Sequence, residues 1–149
     1  MQNVSIRKAK SVDAQSLANC FASAYSAFKS KIPDLPDVSD GLLAAIAEKS
    51  VWVAEIDGAL VGGVVLDLKD DYLILENVAV HPNTSGAGVG KTLIQKAELE
   101  CRRLALREIR LSTHKEMSEN VGLYQHLGWR VVSVVGNKVN MTKPIGQTE

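Results

Sequence analysis

The residues best placed to do chemistry lie in "NTSGAGVGKTL", positions 83 to 93. Gly86, Gly88 and Gly90 alternate with small residues and run into Lys91 and Thr92, where a helical pattern of apolar and polar residues begins. A glycine-rich turn feeding a helix N-terminus collects anions, because free backbone N–H groups and the positive end of the helix dipole converge there. The ligand it implies carries phosphate. "SGAGVGKT" departs at one position from the triphosphate loop G-x-x-x-x-G-K-[ST], with Ser85 where the first glycine belongs. In such a loop the lysine reaches the β- and γ-phosphates and the threonine hydroxyl binds magnesium. The surroundings disagree with that match. The preceding strand stops early, at His81-Pro82, and "REIRLSTH" offers no Asp after its apolar run to hold the metal. About a third of the chain follows the loop, too little for the rest of a doubly wound nucleotide domain.

A second chemical signal is Glu76, which interrupts the apolar run "YLILENVAV". A carboxylate in mid-strand is costly to bury without a partner, so it is either paired, solvent-facing or employed. Tyr124, in "GLYQHLG", has Leu123 and Leu127 as neighbours at core-like helical spacing. Cys20 and Cys101 lie far apart, without CxxC spacing, and fall inside predicted helices; they read as buried thiols in a reduced compartment. His81, His114 and His126 share no metal spacing, so no metal site is expected. Trp52 and Trp129 read as core or edge aromatics.

These groups must be positioned by a chain of 149 residues, a length that fits a single domain, 1–149. Hydrophobic residues make up 46% and charged residues 23%, ordinary for a globular protein. Lys+Arg and Asp+Glu are equal at 17 each, so no basic field argues for nucleic acid. "MQNVSIRKAK" has no apolar leader core and no stretch approaches membrane-spanning length, which places the expectation in the cytoplasm and away from membranes. "VSIRKA" alternates as a strand; "SVDAQSLANCFASAYSAF" is a helix with Ser11 or Asp13 as N-cap and Leu17, Cys20, Phe21, Ala24 and Phe28 on one face. "KSKIPDLPDVSD" reads as a loop and "GLLAAIAEK" as a short helix. Asp57-Gly58 and Gly136-Asn137 mark two hairpins. A helix from the glycines to about Leu106 and another over "SENVGLYQHLG" complete the order β-α-α-β-β-β-α-β-α-β-β. The basic run "CRRLALREIR" straddles a helix end and reads as a solvated face.

Taken together, "ENVAVHPNTSGAGVGKTLI" and "SENVGLYQHLGW" resemble the GNAT superfamily of acetyl-CoA-dependent N-acetyltransferases. The resemblance covers nearly the whole chain, because the element order is also that family's. It implies an α/β (α+β) fold, a mixed, mostly antiparallel, twisted sheet with helices on both faces. The implied reaction moves an acetyl group from acetyl-CoA to a primary amine by direct attack in a ternary complex, with no metal and no covalent enzyme intermediate. The family's pyrophosphate loop, Q/R-x-x-G-x-G/A, falls on Ser85, Gly86, Ala87, Gly88, Val89 and Gly90, without the leading Gln or Arg. The backbone cradle is kept, so the resemblance implies weaker or differently angled coenzyme binding, with Lys91 as a further phosphate contact or a solvated helix residue.

By the same resemblance, the main chain of Val78, Ala79 and Val80 would hold pantetheine, and a backbone N–H there would face the thioester oxygen. Tyr124 takes the place of the family's general acid for the leaving sulfur. Glu76 takes the place of a base working through water, against its alternative as a paired or solvated strand residue. Asn120 is the implied contact to the coenzyme arm, although Met117 stands where many members place that Asn; helix capping is its alternative. The acceptor, a small-molecule amine or a protein or peptide amine, would meet a pocket shaped by "YSAFKSKIPDLPD" and "VVGNKVN". Asp34, Asp37 and Asp40 would attract a cationic amine or be merely solvated. Family members often form homodimers. Two alternatives stay open: a P-loop-like nucleotide-binding module, and a non-catalytic acyl-CoA-binding domain. Calorimetric titration separates the first of these, with heat expected from acetyl-CoA and none from ATP plus magnesium.

Overall fold

The computed structural model describes residues 3–29, 41–84 and 87–146. Along the chain come β1 (Val4–Lys8), α1 (Ala14–Lys29), α2 (Leu42–Glu48), β2 (Ser50–Ile56), β3 (Ala59–Leu68) and β4 (Tyr72–Val80). Then follow α3 (Val89–Arg103), β5 (Glu108–His114), α4 (Ser118–His126), β6 (Arg130–Val135) and β7 (Lys138–Pro144). Short 3-10 turns at Ser11–Asp13 and Pro82–Thr84 lead into α1 and towards α3. The order is the one that periodicity and turn residues predict. Asp57 and Gly58 both take positive φ, 51° and 81°, as a tight hairpin turn demands. Asp13 sits at the start of α1, but its carboxylate accepts from the Lys10 N–H at 2.7 Å and from Arg7 at 2.8 and 2.9 Å. α3 stops at Arg103, three residues before the expected end, because Ala105 turns left-handed (φ 59°) and Leu106 N–H returns to the Cys101 carbonyl.

Among the described residues, seven strands form one sheet in the order β1-β2-β3-β4-β5-β7-β6. Only β4 and β5 run parallel; every other neighbouring pair is antiparallel. A triphosphate-binding loop belongs to a parallel, doubly wound sheet, which this is not. The Thr92 hydroxyl is also committed within its own helix, donating to the Gly88 carbonyl at 2.8 Å.

α1 and α2 pack on one face around Leu17, Phe21, Val51, Val53 and Val65, whereas α3 packs on the other around Val64, Leu66, Leu73, Leu75, Leu93 and Ile94. Two adjacent glycines in β3 let both layers close in. A Cβ on Gly62 would come within 2.9 Å of the Ala79 carbonyl and 3.0 Å of Val89 Cγ1; one on Gly63 would collide with Leu17 Cδ1. Helices press from opposite sides on consecutive residues of one strand, so neither position has room for a side chain.

β4 departs from regularity at one residue. Val65 pairs with Asn77 and Leu66 with Leu75, which leaves Glu76 as the extra residue of a bulge. β4 then meets β5 only through Tyr72–Glu108, Leu73–Ile109 and Ile74–Arg110. Beyond that point the two parallel strands are unpaired with each other. Replacing Gly62 with Ala is expected to destabilise the protein by about 1–3 kcal/mol in chemical denaturation, since the obstructing atom is strand backbone. Gly63→Ala, obstructed first by the tip of a side chain, is expected to cost less.

Candidate active site

The unpaired stretch of β4 and β5 opens a cavity of about 850 Å³ that passes through the sheet. Phe21, Ala24 and Tyr25 of α1 line it on one face; Gly90 and Ile94 of α3, with Asn120, Leu123 and Tyr124 of α4, line it on the other. The β6–β7 hairpin contributes Val135, Asn137 and Lys138. A second cavity of about 710 Å³ lies along β4, β5, β7 and β6 and shares Leu75, Glu76, Leu111 and Ser112 with the first. Glu76 therefore lines both cavities.

The bulge explains how a charged residue occupies this strand. Glu76 is turned out of the ladder, and both its carboxylate oxygens accept from the Lys49 ammonium, at 2.9 and 2.7 Å. Lys49 directly precedes β2, and the Glu76 carboxylate raises its pKa, so the ammonium stays charged at neutral pH. The two side chains are 30% and 37% exposed, so each keeps contact with water.

Val78, Ala79 and Val80 form the rest of the β4 edge along the cavity. Ala79 is buried and its neighbours are half-buried, which leaves main chain as the accessible polar surface. Gly88 takes φ 77° and caps α3, Val89 is a core residue, and Ala87 packs against the core. Gly90 lies on the cavity wall, whereas Lys91 is exposed and outside the cavity lining. Thr92 N–H already bonds to the Gly88 carbonyl, so the N–H groups of residues 89 to 91 precede the first intrahelical bonds. Ser85 and Gly86 lie outside the described residues, as do Asp34, Asp37 and Asp40.

Tyr124 is buried at 5% exposure, one helical turn after the half-buried Asn120. Its ring leans on Trp129, with centroids 5.3 Å apart and planes at 57°. The Trp129 Nε1–H donates to Glu98 at 3.1 Å, and Lys143 donates to the same carboxylate and to the Leu127 carbonyl, each at 2.7 Å. That chain of bonds fixes the platform on which the phenol rests. Burial pushes the Tyr124 phenol above its ordinary pKa, so it is a proton donor throughout the neutral range. Leu123, expected in the core beside it, is exposed and forms cavity wall instead; Leu127 does pack inward.

Cys20 and Cys101 are buried, and burial holds both thiols up at about 11, so neither is a nucleophile. No group of three metal-ligating side chains occurs among the described residues. Sequence reasoning named Lys138 only within "VVGNKVN" as pocket wall, and assigned nothing to Lys49, Ser112 or His114, all of which border the cavity or hold the Glu76 carboxylate. For Ser112 and His114 the alternation of "EIRLSTH" against buried Ile109 and Leu111 was the available signal.

The profile of the acetyltransferase (GNAT) domain matches residues 47–131. The chain belongs to the GNAT acetyltransferase family. Among curated proteins, "Uncharacterized N-acetyltransferase YjgM" of Escherichia coli (strain K12) is 29% identical over 82 residues, covering 52% of this chain and 49% of that protein. The match thus spans about half the length of this curated relative. The structure of the PaiA N-acetyltransferase from Thermoplasma acidophilum in complex with coenzyme A superposes at a TM-score of 0.87, with 21% identity over 95% of this chain and 99% of that one. The ribosomal-protein-S18-alanine N-acetyltransferase of Escherichia coli gives 0.84, with 15% identity over 99% and 97%. Salmonella typhimurium yncA with acetyl-CoA gives 0.77, with 20% identity over 99% and 96%. At these identities the structures speak for the fold: the GNAT sheet and helices are those described above. No helix among the described residues is long and apolar enough to cross a membrane.

The raised pKa of Tyr124 in this GNAT chain sets a sign for stability. The neutral phenol is favoured in the folded state, so its contribution is complete below about pH 10 and is lost as pH rises towards the folded value. The stability difference between wild type and Tyr124→Phe is therefore expected to change little from pH 7 to 9 and to shift against wild type above pH 10, measured by urea denaturation at each pH.

Proposed function

We propose that this chain transfers an acetyl group from acetyl-CoA to a primary amine, the two substrates meeting inside the gap between β4 and β5. The observation that carries this reading is the through-sheet cavity, with a free strand edge on one wall and a buried tyrosine at its α4 side. A chain of amides such as pantetheine can pair with the unpaired β4 edge at Val78, Ala79 and Val80 as an added strand would. The diphosphate belongs at the N-terminus of α3, where Gly88, Val89, Gly90 and Lys91 offer backbone amides and the helix dipole. Coenzyme A and acetyl-CoA, bound in the structures of two fold relatives, are compatible with that placement. Ser85 in place of Gln or Arg removes one long side chain from the family's loop and leaves backbone to hold the ligand.

In the proposed reaction the amine nitrogen bonds to the acetyl carbon, and the bond from that carbon to sulfur breaks. The nitrogen sheds a proton, and the sulfur leaves with one. Tyr124 supplies the second proton: its phenol is kept neutral by burial and is aimed by Trp129. Its acidity is poor, so position has to supply the catalysis. Glu76 takes the first proton through water; supporting this, the bulge turns it out of the ladder and it lines both cavities. Lys49 holds that carboxylate in place and competes for it. Asn120, one turn from Tyr124, is positioned to hold the coenzyme arm.

Release of free thiol, followed across a library of amines, tests the reading. Tyr124→Phe is expected to lower kcat at least about 100-fold, while acetyl-CoA affinity in calorimetry stays within about twofold. Glu76→Gln is expected to lower kcat/KM at pH 7 and to recover as pH rises, when more amine is already neutral. Equal turnover by Tyr124→Phe removes that residue from the chemistry. Acetyl-CoA binding without thiol release from any amine would leave a non-catalytic acyl-CoA-binding domain.

A further inference from the structure

An acceptor amine has to bring its nitrogen to Glu76, and one nitrogen of the chain already meets that condition. Lys49 Nζ donates to the two carboxylate oxygens of Glu76 at 2.9 and 2.7 Å, and this carboxylate lines both cavities. The fold sets that reach. Lys49 is the C-cap of α2, and its N–H donates to the Ala45 carbonyl at 2.7 Å, so its main chain is fixed. From there the side chain passes over β3, which lies between β2 and β4, and arrives at the bulge. Its four-carbon stem rotates freely, and its side chain is 30% exposed, so the ammonium has room to swing about its anchor. Other paired lysines sit elsewhere. Lys69, Lys96 and Lys143 are held by Asp67, Glu100 and Glu98, none of which lines either cavity.

We propose that Lys49 is itself an acetyl acceptor, modified by acetyl-CoA bound to the same chain. This rests on the acetyl-transfer reading and names an internal substrate for that site. The ammonium first passes a proton to Glu76 along the existing hydrogen bond. Neutral Nζ then bonds to the acetyl carbon, and the bond from that carbon to sulfur breaks. The nitrogen sheds a second proton, while the sulfur leaves with the one supplied by Tyr124. The products are the acetylamide of Lys49, free coenzyme A thiol and a proton released to water. Tethering favours this acceptor, because a chain-borne amine has no association cost and no cation to displace from Glu76. Against it stands the ion pair, which keeps the neutral amine scarce and makes the reaction a slow, single event per chain. Once acetylated, the side chain carries no charge, and an external ammonium reaches Glu76 without competing with it.

The test incubates purified protein with acetyl-CoA and no amine, and follows each lysine with time by peptide mass spectrometry. The exposed Lys10, Lys91 and Lys115 report uncatalysed reaction with the thioester. Lys49 is expected to be acetylated at least about tenfold faster than these three. Its rate constant is expected to stay the same across a range of protein concentrations, as reaction within one chain requires. Tyr124→Phe and Glu76→Gln are expected to bring Lys49 down to the rate of the exposed lysines. Lys49→Arg is expected to abolish the burst of thiol released without amine. Acetylation of Lys49 no faster than the exposed lysines, an unchanged rate in Tyr124→Phe, or a rate constant proportional to protein concentration overturns the proposal. The amine library, run in parallel, separates this failure from that of the transfer reading. Amines acetylated while Lys49 stays at the uncatalysed rate remove the internal acceptor and leave the reading standing. Acetylation of Lys49 that depends on Tyr124, with no external amine accepted, supports the internal acceptor and removes the free-amine substrate. Neither result appearing removes both.

Discussion

The site depends on how little β4 pairs with β5. Three residues on each strand meet in parallel register, and then the ladder stops. Strand edges left open inside a protein carry unpaired N–H and C=O groups, which are costly unless something satisfies them. β5 limits that cost by keeping its other edge fully paired with β7 from Glu108 to His114. β4 does the same with β3, apart from the single interruption at Glu76. The opening is therefore one-sided on both strands, and the polar groups that line it are left for a ligand. The bulge adds local twist and changes which face the following residues present. Without it, Leu75 and Val78 could not both face α3, and Glu76 would point into one of the cores.

Holding the gap open requires that the strands on either side be rigid, and the packing around them is dense for that reason. Gly62 and Gly63 let α3 and α1 clamp the middle of β3, directly across from Ala79 and Val80. On the far side, Glu98 of α3 ties Trp129 and Lys143 together, and Lys143 reaches on to the Leu127 carbonyl at the end of α4. Tyr124 rests against that assembly through Trp129. The phenol is thus located by contacts that share no atom with the proposed substrates, which suits a weak acid whose efficiency comes from placement. Burial is the cause of its raised pKa.

Much of the architecture was legible because it is written in short-range terms. Asp57-Gly58 and Gly136 force turns wherever the strands end up, and the buried positions of α1 and α3 recur at helical spacing. The glycine loop ahead of Val89 announced a helix that opens on backbone amides. What could not be read came from pairs far apart in the chain. Glu76 was visibly anomalous in its strand, yet the identity of its partner, Lys49, follows only from α2 delivering the chain into β2, which lies across β3 from that strand. The insertion of β7 between β5 and β6 brings Lys138 level with His114, a neighbour relation that no local pattern encodes. Leu123 failed for a related reason: helical spacing predicts a face, and only the assembled cavity decides that this face borders open space.

The pairing of Glu76 with Lys49 bears on how the proposed rate is generated. Both oxygens of the carboxylate accept from one ammonium, so anion and cation border the cavity as a unit. In the proposed reaction the cation disfavours the ammonium form of a nearby acceptor, while the carboxylate beside it is the group proposed to take the shed proton. The bulge matters most here, because it turns Glu76 out of the ladder and lets that pair form at the lining of both cavities.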